Sequence, residues 1–269
     1  MAARTEQRRF GTFDLTNATN KVSVERWSNQ VLHKATFKDR LKGDGSIPLR
    51  DILRGHQVDI AGKVTGVDSE DVSTRLDNLI AALANGEDWL SLYDDRRLRC
   101  RLDGNLKYAM VPGSGGMVYT WSAKMRSRWP FWEGTSVTSE TFAGLTGIGP
   151  HILTLAASVG GVAPTFPTLL VTNSGTAFSN KVLTFTNTST VEQMQLVGMD
   201  MSNNHQASID MREGHLGDGV STSLTPVAID GQWFALSAGA VPVLEFAHNV
   251  GSGGSFAVQV SYTPQFWTP

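Results

Sequence analysis

Hydrophobic and polar positions along this chain follow two periods. Between His56 and Val64, the residues Val58, Ile60, Gly62 and Val64 alternate with Gln57, Asp59, Ala61 and Lys63. That is the period-two pattern of a strand with one buried face. The period then lengthens. Val72, Leu76, Leu79, Ile80 and Leu83 recur at helical spacing. Asp68 or Ser69 stands at the N-cap, Glu70 and Asp71 lie in the first turn, and Asn85-Gly86 supplies a left-handed stop. This punctuation predicts a helix over 69–85. Its apolar stripe needs a sheet beneath it. Trp89–Tyr93 reads as a strand, Asp94-Asp95 as a turn, and Arg96–Leu102 as the partner strand. On the partner, Leu98, Cys100 and Leu102 share one face while Arg97, Arg99 and Arg101 share the other. Met117–Trp129 sets Tyr119, Trp121, Ala123 and Met125 against Lys124, Arg126 and Arg128. With the flexible loop Pro112–Gly116 ahead of it, this strand is expected to form a hairpin with Arg96–Leu102 that carries one strongly basic face.

From Ile152 onward the pattern is a series of short strands separated by turn residues, as in a β-sandwich. Thr168–Thr172, Lys181–Thr186, Gln193–Met199, Ala207–Met211, Pro242–Phe246 and Ser255–Tyr262 all qualify. The last is the cleanest, with Phe256, Val258, Val260 and Tyr262 alternating with Ala257, Gln259 and Ser261. Asn173-Ser-Gly175, Asn187-Thr-Ser189, Asn203-Asn204 and Gly251–Gly254 read as the connections.

Charge adds a boundary. The chain has 269 residues, enough for about two domains, and a formal charge of −2 from 23 basic and 25 acidic residues. No charged residue lies between Thr141 and Pro150, within a Gly-rich stretch with turn chemistry. Cutting near residue 145 leaves 21 basic and 18 acidic residues before it, and 2 and 7 after it. The predicted architecture is therefore mainly β with one helix: an α+β domain over 1–145 and a β-sandwich over 146–269. The single Cys100 excludes an internal disulfide framework and cysteine-rich zinc sites. No apolar run approaches the length of a membrane span, and Met1–Phe13 is unlike a signal peptide.

Signs of catalysis are sparse. Ser114 lies in Gly113-Ser-Gly-Gly116, which lacks the spacing of a nucleophile elbow. Gly62-Lys63 lacks the upstream glycine and the following Ser or Thr of a phosphate loop. His215-Leu-Gly-Asp218, with Glu213 nearby, is the one local pairing of histidine with carboxylates, and it reads as a surface turn ahead of a metal site. No catalytic residue, cofactor or metal is expected. The strongest candidate surface is the basic array of Arg97, Arg99, Arg101, Lys124, Arg126 and Arg128, suited to an acidic partner or simply to solvent. Its aromatics are expected on the opposite, buried face, which argues against single-strand nucleic-acid binding.

The order of these motifs resembles the distal tail proteins of long-tailed bacteriophages. The resemblance begins at Val58-Asp-Ile-Ala-Gly62 and the helix that follows, and continues through Arg128-Trp-Pro-Phe-Trp132. It extends over Pro164-Thr-Phe-Pro167, Leu169–Gly175, Val182–Asn187, Ala207–Asp210, Gly231–Leu236 and Val258–Trp267. It covers about residues 50 to 269. It implies an N-terminal belt domain and a galectin-like sandwich. It further implies a hexameric ring, assembled in the host cytoplasm and placed at the tail tip of the virion. There it would join the tail-tube protein to a tail-tip hub and to receptor-binding components, with DNA only as passing cargo and no membrane insertion. The alternative is a carbohydrate-binding module using Trp233 or His248 against host glycans.

Overall fold

The computed structural model describes residues 6–16, 21–39, 46–218, 228–251 and 253–269, with 31–39, 46–54 and 218 entering through the backbone alone. It divides into two compact units, Met1–Thr135 with Phe266–Pro269, and Ser136–Gln265.

In the first unit the strands are β1 (Glu6–Phe10), β2 (Phe13–Asp14), β3 (Val22–Asp39), β4 (Ser46–Thr65), β5 (Asp88–Tyr93), β6 (Arg96–Leu102), β7 (Lys107–Met110), β8 (Val118–Ser127) and β9 (Trp132–Gly134). They pair in the order β2-β1-β5-β6-β8-β4-β3, with β7 also on β8 and β9 also on β6. The one helix among the described residues, α1, runs Ser69–Ala84. Asp68 caps it by accepting from the Asp71 amide at 2.8 Å, and Asp71 in turn accepts from the Val67 amide at 3.0 Å. Asp71 also holds Arg75 one turn on, at 2.7 Å. The Val67 hydrogen bond, and then Arg75, keep the Asp71 carboxyl below the usual carboxylate range. Val72, Leu76, Leu79 and Leu83 are buried against the inner face of the sheet, where Ile60, Leu90, Leu98, Cys100, Trp121 and Met125 form the core with them.

The expected hairpin of Arg96–Leu102 with Met117–Trp129 is replaced by another arrangement. β6 lies against β5, and it meets β8 at Arg101–Arg126 and Leu102–Met125. β8 makes its own hairpin with β7, a strand whose four residues are all exposed. Four residues with no buried face carry no alternation to read, so the sequence pattern passes over β7.

β3 and β4 pair along their whole length, from Val22–Val64 to Asp39–Ser46. β8 covers β4 only between His56 and Thr65. The outer half, beyond Gly55, is thus a two-stranded arm of roughly 30 Å. It leaves the sheet at Gly55, where φ is +110° and a Cβ would collide with the Ser127 carbonyl oxygen, so only glycine fits. The register shifts opposite it, between Leu32 and His33.

In the second unit the strands are β10 (Thr138–Thr146), β11 (His151–Thr154), β12 (Thr168–Asn173), β13 (Phe178–Asn187), β14 (Glu192–Met201), β15 (Gln206–Asp210), β16 (His215–Asp218), β17 (Ala228–Gly231), β18 (Val243–His248) and β19 (Ser255–Tyr262). They form two antiparallel sheets, β10-β19-β12-β15-β16 and β11-β18-β13-β14-β17. Their inner faces share one core, in which the Phe246 ring lies 5.1 Å from Phe185 and 5.3 Å from Phe256. Two asparagines read as turn residues accept the turn amides of Gly175 and Ser189, both at 3.1 Å, and are buried ties as well. Asn173 donates to the carbonyls of Thr176 and Ser202, both at 3.0 Å, and Asn187 donates to that of Ala235 at 2.9 Å.

The boundary differs from residue 145. Thr138–Thr146 pairs with β19, so the uncharged stretch is largely strand and belongs to the sandwich. At the other end Phe266–Pro269 belongs to the first unit. Arg96 lies over the Phe266 ring at 3.7 Å and donates to the Thr268 carbonyl at 2.8 Å, and Trp267 packs edge-on against Phe131 at 4.7 Å.

Two histidines tie stability to pH. His56 is fully buried; its Nδ1 donates to the Pro130 carbonyl at 2.8 Å and its Nε2 has no hydrogen-bond partner among the described residues. His248 is buried too, with Nδ1 accepting from the Val250 amide at 3.3 Å. Burial pushes both rings below the ordinary imidazole range, and the neighbouring His151 adds to this for His248. The unfolded chain therefore takes up protons first as pH falls below about 6.5, and stability is lost from there down through the lowered folded values. Thermal melts should show a lower transition at pH 5 than at pH 7.5, and the double variant His56→Leu, His248→Phe a flatter profile. In the first unit Leu79→Ala should cost about 3 kcal/mol in denaturant unfolding.

Candidate partner-binding face

The outer face of the first sheet begins with strand alternation. Leu98 and Cys100 on β6, and Trp121, Ala123 and Met125 on β8, point into the core, so Arg97, Arg99, Arg101, Lys124, Arg126 and Arg128 all point out. The structure brings these six onto one face, as β6 and β8 are neighbours. Their surroundings differ. Glu87, just beyond the helix stop, serves two guanidiniums, Arg128 at 3.2 Å and Arg99 at 3.4 Å. Arg126 lies 3.7 Å from Asp103. Arg97 covers the Trp89 ring at 4.1 Å, so one aromatic shares the basic face, contrary to expectation, but is capped by a guanidinium. Arg101 stands directly opposite Arg126 in register. Like charges so placed repel. Lys124 stands opposite Asp59.

Beside this face lies a groove of about 560 Å3 over β4 and β8, continued by a second stretch that shares Arg26, Ala61, Lys107 and Ser122 with it. Arg26–Ala61–Ser122–Lys107 is a single cross-strand row spanning β3, β4, β8 and β7. Nothing in the sequence marks this row, because its members come from four separate segments and β7 has no periodicity.

The remaining candidates resolve individually. Cys100 is fully buried, and burial together with Glu87 pushes its thiol far above the ordinary range. Ser114 donates to the Val111 carbonyl at 2.7 Å within the β7–β8 turn, and Lys63 pairs with Glu25 at 2.7 Å. His215–Asp218 is strand β16, paired with β15, and not a turn. Among the described residues no group of three or more histidine, cysteine or carboxylate side chains is placed to hold a metal, and no helix is long and apolar enough to cross a membrane. His248 is buried in the sandwich, out of reach of a glycan. Trp233 is partly buried against the second-unit core.

No protein-family profile matches the chain, and no curated protein matches it. Solved structures do. The crystal structure of SPP1 Dit (gp 19.1), described as a paradigm of the hub adsorption apparatus in phages infecting Gram-positive bacteria, superposes with a TM-score of 0.67 at 16% identity. The match covers 97% of this chain and 98% of that one. This chain has the Dit fold. A chain of the phage p2 baseplate in its activated conformation also matches, more loosely, in the strontium-bound structure (TM-score 0.48, 10% identity, 96% and 98% covered) and the calcium-bound one (0.44, 9%, 91% and 92%).

Two outcomes test this face. Arg101→Thr removes the like-charge pair and should raise stability by about 0.5 kcal/mol or less at low ionic strength, an effect that fades in high salt. Cys100 should resist thiol reagents in the native protein and react once denatured, as followed by mass spectrometry.

Proposed function

We propose that this protein is a structural component of a phage tail tip. Copies close into a six-fold ring that joins the tail tube to the hub and its receptor-binding components. The observation that carries the reading is the end-to-end correspondence with SPP1 Dit, which runs through both units and includes 97% of the chain. Two features support it. The first sheet has open margins at β2, β7 and the β3–β4 arm, and ring closure covers such margins. The sandwich carries few charges (two basic and eight acidic residues over 136–265), which suits packing among neighbours. In this reading the second unit is the galectin-like lobe of the distal tail resemblance. The ring assembles in the host cytoplasm, and DNA passes through it without being held. The protein acts by joining parts, without catalysis. The basic face of Arg97, Arg99, Arg101, Lys124, Arg126 and Arg128 meets an acidic surface of an adjoining tail component, and surplus like charge at Arg101–Arg126 is relieved there.

Electron-microscope class averages of the purified protein should show six-fold rings, and mass spectrometry of purified virions should find the chain in tails. A protein that stays monomeric at micromolar concentration and is missing from virions overturns the proposal.

A further inference from the structure

The groove shares Lys124 with the basic face and lies between β3 and β7. Its floor is made of small residues, Ala61 and Ser122, directly opposite one another. Its walls carry cations: Arg26 on β3 and Lys107 on β7, both exposed, at the two ends of the same row. Three inter-strand steps separate them, roughly 14 Å. Neither has a carboxylate partner among the described residues. The carboxylates nearby are already engaged: Glu25 holds Lys63 at 2.7 Å, Asp103 lies 3.7 Å from Arg126, and Asp59 accepts from Gln57 at 3.3 Å and stands opposite Lys124.

We propose that this groove receives an extended acidic segment of a partner protein, whose carboxylates reach Arg26 on one wall and Lys107 on the other. An extended chain projects successive side chains to alternate sides, so a strand lying along the small-residue floor presents every second side chain to each wall. Charge complementarity selects the acidic class. The mixed sign of the groove selects protein over nucleic acid. Asp59 and Asp103 line the same cleft and would oppose an unbroken run of phosphates, whereas a peptide can place a carboxylate at each cation and an amide or hydroxyl near each carboxylate. The inference rests on the groove residues alone, and its test does not depend on ring closure.

The test uses the full-length protein and a fluorescent peptide of about ten residues repeating Glu-Glu-Ser-Ser, which places carboxylates on both sides of the extended chain and is long enough to run the length of the groove. Anisotropy titrations at about 50 and about 300 mM salt bracket the screening regime. A Gln-Gln-Ser-Ser peptide and a single-stranded oligothymidylate serve as comparisons. The Glu-Glu-Ser-Ser peptide should bind saturably, more weakly at the higher salt, and in preference to both comparisons. Arg26→Ser and Lys107→Ser should each weaken it roughly fivefold, the scale of one screened ion pair. Lys181→Ser in the second unit should leave it unchanged, and unchanged melting curves of the variants show that each is folded. Absence of saturable binding, binding by the Arg26 and Lys107 variants as tight as by the unaltered protein, or tighter binding of the oligothymidylate overturns the proposal.

Discussion

Each sheet in this protein buries one face and leaves the other free, and almost everything else follows from that asymmetry. In the first unit α1 covers the inner face through Val72, Leu76, Leu79 and Leu83. In the second, the two sheets cover each other around Phe185, Phe246 and Phe256. A strand with one buried face fixes the side of every side chain, because a slip of one residue turns the whole apolar set outward. Once Leu98, Cys100, Trp121 and Met125 are committed inward, six cations have nowhere to go but out. The basic face is thus a by-product of core packing as much as a separate device.

That outward surface is where the two units part in character. The first mixes cations and carboxylates closely enough that Glu87 serves both Arg99 and Arg128. The second presents Thr, Ser and Gln from its strands, and ties its corners with buried amides such as Asn173 and Asn187. Charged, mixed surfaces give register and approach; neutral, flat ones tolerate close neighbours. A chain with two units of similar size thus presents two distinct kinds of surface.

Much of this was legible in the residues. The helix was marked at both ends, and its cap is Asp68, one of the two candidates Asp68 and Ser69. β19 shows perfect alternation and occupies its predicted span, Ser255–Tyr262. Three of the strands misread or passed over share a physical cause. β7 is exposed throughout, β16 holds a glycine, and β10 contains Ala143-Gly144 with a register shift between Phe142 and Leu145. None of them displays a period for a pattern to catch. The basic residues were readable because strand alternation is local. Glu87, which neutralises two of them, and the row from Arg26 to Lys107 were not, because strand order across a sheet is set by pairing between distant segments.

The return of Phe266–Pro269 to the first unit has a consequence for synthesis. The second unit is an insertion within the first, so the docking site around Arg96 and Phe131 waits empty until the whole of Ser136–Gln265 has emerged. At the pace of a translating ribosome that delay is on the order of ten seconds. The sandwich is itself incomplete through that delay, because β19 (Ser255–Tyr262), which lies between β10 and β12, emerges only just ahead of Phe266. Both units therefore close together as residues 255–269 emerge, and the helix-backed sheet stays unsealed until then.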